Sequence, residues 1–110
     1  MKRAIEKSPI FESDVTGQFG WYLEKGGETL AWRFFAAVEL TLAKLSQQPD
    51  LGRVRHFRNP KLHGLRSFRI ESPFGRLIIF YRSSETELQA WRLMHGARDL
   101  PRRLVEMSGS

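Results

Sequence analysis

The spacing of apolar residues changes once along this chain. From Phe11 to Leu45 they recur every three or four positions, and from Leu65 to His95 they alternate or run together in short blocks. Phe11, Val15, Phe19 and Tyr22 or Leu23 make one helical stripe. Ser8 and Pro9 open it, a serine to cap the first free N–H groups and a proline suited to the first helical position. Leu30, Phe34, Val38, Leu42 (or Thr41) and Leu45 make a second stripe, from about Thr29 to Gln47, in which Ala31, Ala36, Ala37 and Ala43 favour helix. Lys25-Gly26-Gly27-Glu28 lies between them, which predicts two helices joined by about four residues as an antiparallel hairpin. Gly17 and Gly20 each cost ~1 kcal/mol inside a helix, so close approach to the second helix is expected there, with a break near Gly20 as the alternative. Gln48-Pro49-Asp50 ends the helical part.

The rest reads as sheet. A weak alternation over Lys2–Lys7 predicts a first strand with Ala4 and Ile5 toward a core. Leu51 to Gly64 has no clear period and reads as a basic loop. Three strands follow, Leu65–Ile70, Gly75–Arg82 and Leu88–His95, with turns at Pro73-Phe74-Gly75 and Ser83-Ser84-Glu85-Thr86. The middle one, apolar on both faces from Leu77 to Tyr81, is expected at the centre of the sheet. Counting chain reversals sets the first strand antiparallel to the second. The predicted fold class is α+β, with an N-terminal strand and a helical hairpin packed on one face of a four-stranded antiparallel sheet (β-α-α-β-β-β), then a short C-terminal helix or tail. One domain is expected over 1–106, with 107–110 as a disordered tail.

Composition narrows the function. Cysteine is absent, which removes disulfides and thiolate metal sites. His56, His63 and His95 lack the spacing of a metal cluster, and no cofactor is expected. No apolar run approaches the ~20 residues of a membrane span, and nothing at the N-terminus resembles a signal peptide, so the cytoplasm is the expected compartment. The net charge of +6 is unevenly placed. Residues 1–50 carry six Lys and Arg against seven Asp and Glu, whereas residues 51–110 carry twelve against five, eleven of the twelve being arginine. Arginine is the better fork for carboxylate and phosphate, so this asymmetry points to an acidic partner, a protein or a nucleic acid.

Arg66, Arg69, Arg76, Arg82, Arg92, Arg98, Arg102 and Arg103 are the candidate basic partner-binding surface. Strand alternation turns Arg69 outward and sets Arg66 at the rim, with Arg76, Ile78, Phe80 and Arg82 on one face. The alternative for any one of them is pairing with Glu71, Glu85, Glu87 or Asp99. His95, ahead of Gly96 and near Arg98, is the histidine best placed for acid–base work, and a structural role in a turn is the stronger alternative. Tyr81 and Trp91 could stack on bases, though aromatic residues at such positions more often belong to a core. No paired carboxylates, Gly-rich phosphate loop or Ser/His/Asp signature is present.

The element order, with Pro49-Asp50-Leu51-Gly52, His63-Gly64-Leu65-Arg66, Ile79-Phe80-Tyr81-Arg82 and His95-Gly96-Ala97-Arg98-Asp99-Leu100-Pro101, resembles the RelE/ParE toxin superfamily. The Leu77–Arg82 and His95–Asp99 strings look most like its ParE branch. The resemblance runs from the first strand to Leu104. It implies the toxin of a type II toxin–antitoxin pair, held inactive by an acidic antitoxin, ParD-like or related, and inhibiting DNA gyrase without catalysis. RelE-like members instead cleave mRNA on the ribosome. That alternative would draw on Arg69, Arg76, Arg98 and His95 as catalytic groups. Leu104 stands where such enzymes carry an aromatic or imidazole group, and Ser67 where they carry a lysine, so the resemblance favours the gyrase inhibitor, for which no catalytic residue is expected. A non-toxic, basic nucleic-acid-binding module is the further alternative.

Overall fold

The computed structural model describes residues 2–96. Five strands form one sheet, β1 (Ala4–Lys7), β2 (Arg53–Val54), β3 (Arg66–Arg69), β4 (Leu77–Ser83) and β5 (Glu87–His95), in the spatial order β1-β5-β4-β3-β2. The α+β class holds, and β4 is central and buried from Leu77 to Tyr81. The sheet is mixed, however, not antiparallel. β1 runs parallel to β5, with Ala4 opposite Glu87 and Lys7 opposite Ala90, while the other three pairings are antiparallel.

The cause is β2, a two-residue strand inside the stretch read as loop. It runs antiparallel to β3, with Arg53 opposite Ser67. The reversal count was sound for the strand that directly follows the helical part, but that strand is β2. One added reversal flips every later strand and brings β5 parallel to β1.

The helical part also differs from expectation. The expected loop of about four residues between two helices is not seen: the helical run α1, Pro9–Gln47, joins two helices across a kink at a single non-helical residue, Gly27, at φ 86° and ψ 177°. Only glycine enters that region without steric cost, which is why the break falls there. A straight helix of 39 residues would run about 58 Å at 1.5 Å per residue, beyond the molecule's largest extent of 39 Å. The element is therefore sharply bent, and the Phe19 and Trp32 rings meet across the bend at 4.9 Å. Gly17 and Gly20 are not points of close approach, since a Cβ at either would meet nothing within 4 Å. Ser8 caps the start as expected, its Oγ accepting from Phe11 N at 2.9 Å and donating to Trp91 O at 2.8 Å.

Apolar packing covers both faces of the sheet, unequally. On the α1 side Phe11, Phe34, Val38, Leu42 and Leu45 meet Ile70, Leu77, Ile79, Tyr81, Leu88 and Leu93. Phe19, Tyr22, Leu30 and Ile5 pack at its margin, while Ala4 and Leu23 are exposed. On the other side Leu62 and Leu65 cover Ile78, Phe80 and Met94, with Phe57 and Trp91 alongside. The segment from 55 to 65 is thus a strap with a small core of its own, and it includes a short 3₁₀ turn, Pro60–Leu62.

Tyr81 ties the end of α1 to the sheet. Its hydroxyl donates to Pro49 O at 2.6 Å and accepts from Gly52 N at 2.8 Å. A Cβ on residue 52 would come within 2.1 Å of that oxygen, so only glycine fits there. Tyr81 is a core residue, not a stacking platform.

Candidate partner-binding surface

The register decides which arginines face outward together. Arg53 lies opposite Ser67, and Arg69 lies opposite Ile78. Side chains two apart on a strand share a face, so Arg53, Arg55, Ser67, Arg69 and Ile78 all project on the side away from α1. They line a shallow hollow of about 300 Å³ together with Leu51 and Phe68. Among the described residues no acidic side chain lines it. Arg55 Nη1 donates to Ser67 Oγ at 3.3 Å, and its guanidinium lies 5.6 Å from the Phe57 ring centre and 5.7 Å from that of Phe80. Arg69 Nη1 donates to Gly75 O at 2.7 Å.

The remaining predicted arginines divide into several kinds. Arg66 holds the turn after α1, donating to Gly52 O at 2.8 Å and lying 3.4 Å from the exposed Asp50 carboxylate. Arg82 pins the strap to β4 by donating to the carbonyls of His63 and Lys61, and it stacks 5.1 Å from the centre of the Trp91 ring. Burial pulls its pKa down from the ordinary arginine value. Arg76 is exposed and shares a second hollow, about 550 Å³, with His95, Gln18, Trp21, Tyr22 and Phe74. Burial raises the Tyr22 pKa there, against a smaller opposing effect of its Gln18 hydrogen bond. Arg98, Arg102 and Arg103 lie outside the described residues, as do Asp99, Leu104 and the expected C-terminal helix or tail.

Arg92 does not belong to the surface. It is 3% exposed and grips Asp14 of α1 with two bonds, Nε to Oδ2 at 2.7 Å and Nη2 to Oδ1 at 3.0 Å. β1 pairs with β5 only as far as Ala90, and beyond it Leu93 N donates to Asp14 Oδ2 at 3.0 Å. One carboxylate therefore serves a strand amide past the end of β1 and a buried guanidinium. The arginine–acid pairings suggested by the sequence also change partners: Glu71 binds Lys44 at 2.5 Å, not an arginine.

Of the residues named for a nuclease, three are described and Arg98 is not. Arg69 lines the first hollow and Arg76 and His95 the second. His63 sits in the strap and offers its carbonyl to Arg82, a loop role. Among the described residues no group of three or more His, Cys, Asp or Glu could hold a metal. The pair that sequence reasoning passed over is Arg53 and Arg55. Their signal was the brief alternation Leu51, Arg53, Arg55, too short to stand out from a basic loop.

α1 also presents apolar surface to solvent, with Trp21 53%, Trp32 57% and Leu40 59% exposed.

A family described as "ParE toxin of type II toxin-antitoxin system, parDE" matches residues 5–100. A chain solved as the "Chromosomal ParDE TA system from P. aeruginosa" shares the fold, with TM-score 0.68 and 17% identity over 86% of this chain and 96% of its own. No curated protein matches. With nearly the whole described region inside the family match, the chain belongs to the ParE toxin family and is the toxin component of a type II toxin–antitoxin system.

Proposed function

We propose that this toxin, once released from its antitoxin, inhibits DNA gyrase and holds it on cleaved DNA, acting as a binding partner and not as a catalyst. Family membership supports the reading. The observation that carries it against a ribosome-dependent nuclease is that Leu104 and Ser67 stand where such enzymes carry an aromatic or imidazole group and a lysine. Cutting RNA needs a base for the 2′-hydroxyl, cations at the phosphate and an acid for the leaving oxygen within reach of one another. A leucine and a serine at those two positions supply neither the titrating group nor the cation.

The cognate antitoxin is acidic and ParD-like on this reading. Its apolar side chains would cover Trp21, Trp32 and Leu40, and its carboxylates would meet the basic half of the chain. No helix among the described residues is long and apolar enough to cross a membrane, and the cytoplasm, where gyrase works, is the expected compartment.

The experiment combines purified toxin with gyrase and plasmid, and separately with a translation extract. Loss of supercoiling with accumulation of cleaved plasmid, translation being unaffected, is the expected result. Transcripts cut on the ribosome with gyrase untouched would reverse the assignment. Addition of the acidic protein encoded beside the toxin should restore supercoiling.

A further inference from the structure

We infer that the hollow formed by Arg53, Arg55 and Arg69 is a phosphodiester-binding site, through which the toxin contacts duplex DNA directly. Three observations carry this. The register puts the three guanidinium groups on one face of β2 and β3 and their immediate extension, with no acidic side chain among the lining residues. Two of the three are already held in place, Arg55 by Ser67 and the Phe57 and Phe80 rings, and Arg69 by Gly75 O. Fixed forks lose less freedom on binding than mobile ones. The Arg53 guanidinium has no hydrogen-bond or ion-pair partner among the described residues. Three like charges around one hollow are poorly placed for a folded protein alone and well placed for an anion.

The geometry favours a nucleic-acid backbone over an acidic peptide. A peptide joining the sheet would have to pair with β2, which offers an edge only two residues long. Its alternate side chains would reach Arg53 and Arg55, roughly 6.8 Å apart at strand rise, and leave Arg69, one strand further in, unmatched. A phosphate chain lying across the face meets all three. The choice of duplex DNA rests on the gyrase reading, because the enzyme holds a duplex at the moment it is poisoned.

The test is a fluorescence anisotropy titration of the full chain against a short labelled duplex over a salt series. Each phosphate neutralised contributes about −0.9 to the slope of log K against log salt. Three contacts therefore contribute roughly −2.7, or about 40-fold in affinity between 50 and 200 mM salt. The variant Arg53→Gln/Arg55→Gln/Arg69→Gln should bind at least tenfold more weakly with a slope shallower by about that amount. Arg58→Gln, exposed and outside the hollow, serves as the charge control and should stay within twofold of the parent. Circular dichroism confirms that each variant is folded. Equal binding by the triple variant and the parent overturns the inference. So does a parent chain that ignores the duplex but binds polyglutamate, which makes the hollow a peptide site. Gyrase inhibition by a chain that does not bind DNA overturns this inference and leaves the gyrase reading standing. DNA binding that depends on the three arginines, in a chain without effect on gyrase, supports the inference and removes that reading.

Discussion

The two faces of the sheet are built from the same strands and have opposite characters. Beneath α1, Ile70, Leu77, Ile79, Tyr81, Leu88 and Leu93 form a continuous apolar layer. On the reverse, Ile78, Phe80 and Met94 are roofed by the strap, and next to them the face opens onto Arg53, Arg55 and Arg69. The first face is what a long amphipathic helix can cover. The second is what remains when cover is limited to about a dozen residues of chain, and the cations stand where that strap begins and beside it. Stability and recognition are thus separated by the thickness of one sheet, so substitutions on the two sides should have effects of different kind.

The largest loss of stability belongs to the α1 face. Phe34→Ala removes a fully buried ring that contacts Tyr22 and Phe74, and should cost ~3–5 kcal/mol in urea denaturation. Asp14→Ala should cost ~2–4 kcal/mol, because it removes two hydrogen bonds from the buried Arg92 guanidinium and one from the Leu93 N–H. Leu62→Ala, under the strap, should cost ~2–3 kcal/mol, at the low end for a buried leucine, since a short surface segment can settle into the space. A Leu62→Ala loss equal to that of Phe34→Ala would show that the strap core is as firmly built as the main one, and would weaken the contrast between the faces.

How far each face could be read from sequence follows from segment length. The stripes Phe11–Tyr22 and Leu30–Leu45 are long enough for helical periodicity to show, and β4 and β5 for strand patterning. β2 has two residues, below what any period can reveal, and missing it reversed the expected sense of every strand after it. Arg92 was misplaced for a different reason. Its partner Asp14 lies 78 residues away on α1, and no local pattern reveals a pairing at that distance. The helix break at Gly27 fell inside the glycine pair that sequence marked, but nothing in the sequence distinguished a separate loop from one residue at positive φ. Of the other arginines, those on regular strands could be placed by face. Whether each would be engaged by backbone carbonyls, as Arg66 and Arg82 are, depended on turns with no periodic signature.

Tyr81 joins the α1 face to the turn that begins the second face, and pH tests that joint. Burial raises its pKa above the ordinary value of 10.0, outweighing the lowering effects of the Gly52 N–H and of Arg66. The folded state therefore holds the phenolic proton more tightly than the unfolded chain. The associated stability is fully present below pH 10.0 and is lost as pH rises through the folded-state value. Stability followed across that alkaline range should decline, and Tyr81→Phe should decline less steeply while starting lower for want of two hydrogen bonds. Identical slopes in the two proteins would show that Tyr81 does not control the alkaline limb.

The smallest expected effect lies in the open hollow. Arg53 and Arg55 stand roughly 6.8 Å apart at strand rise. Two unit charges at that distance in water repel by about 0.6 kcal/mol, and a Debye length of about 8 Å at physiological salt reduces this to a few tenths. Among the described residues neither side chain holds a carboxylate, so Arg53→Gln gives up no attraction there to balance the repulsion it removes. Its stability should match the parent or exceed it by a few tenths of a kcal/mol at low salt, with the difference closing as salt is added. A clear destabilisation would mean that Arg53 supports the fold, and that this face contributes to stability much as the other one does. A small gain that disappears with salt is the signature of a charge kept for a ligand outside the chain.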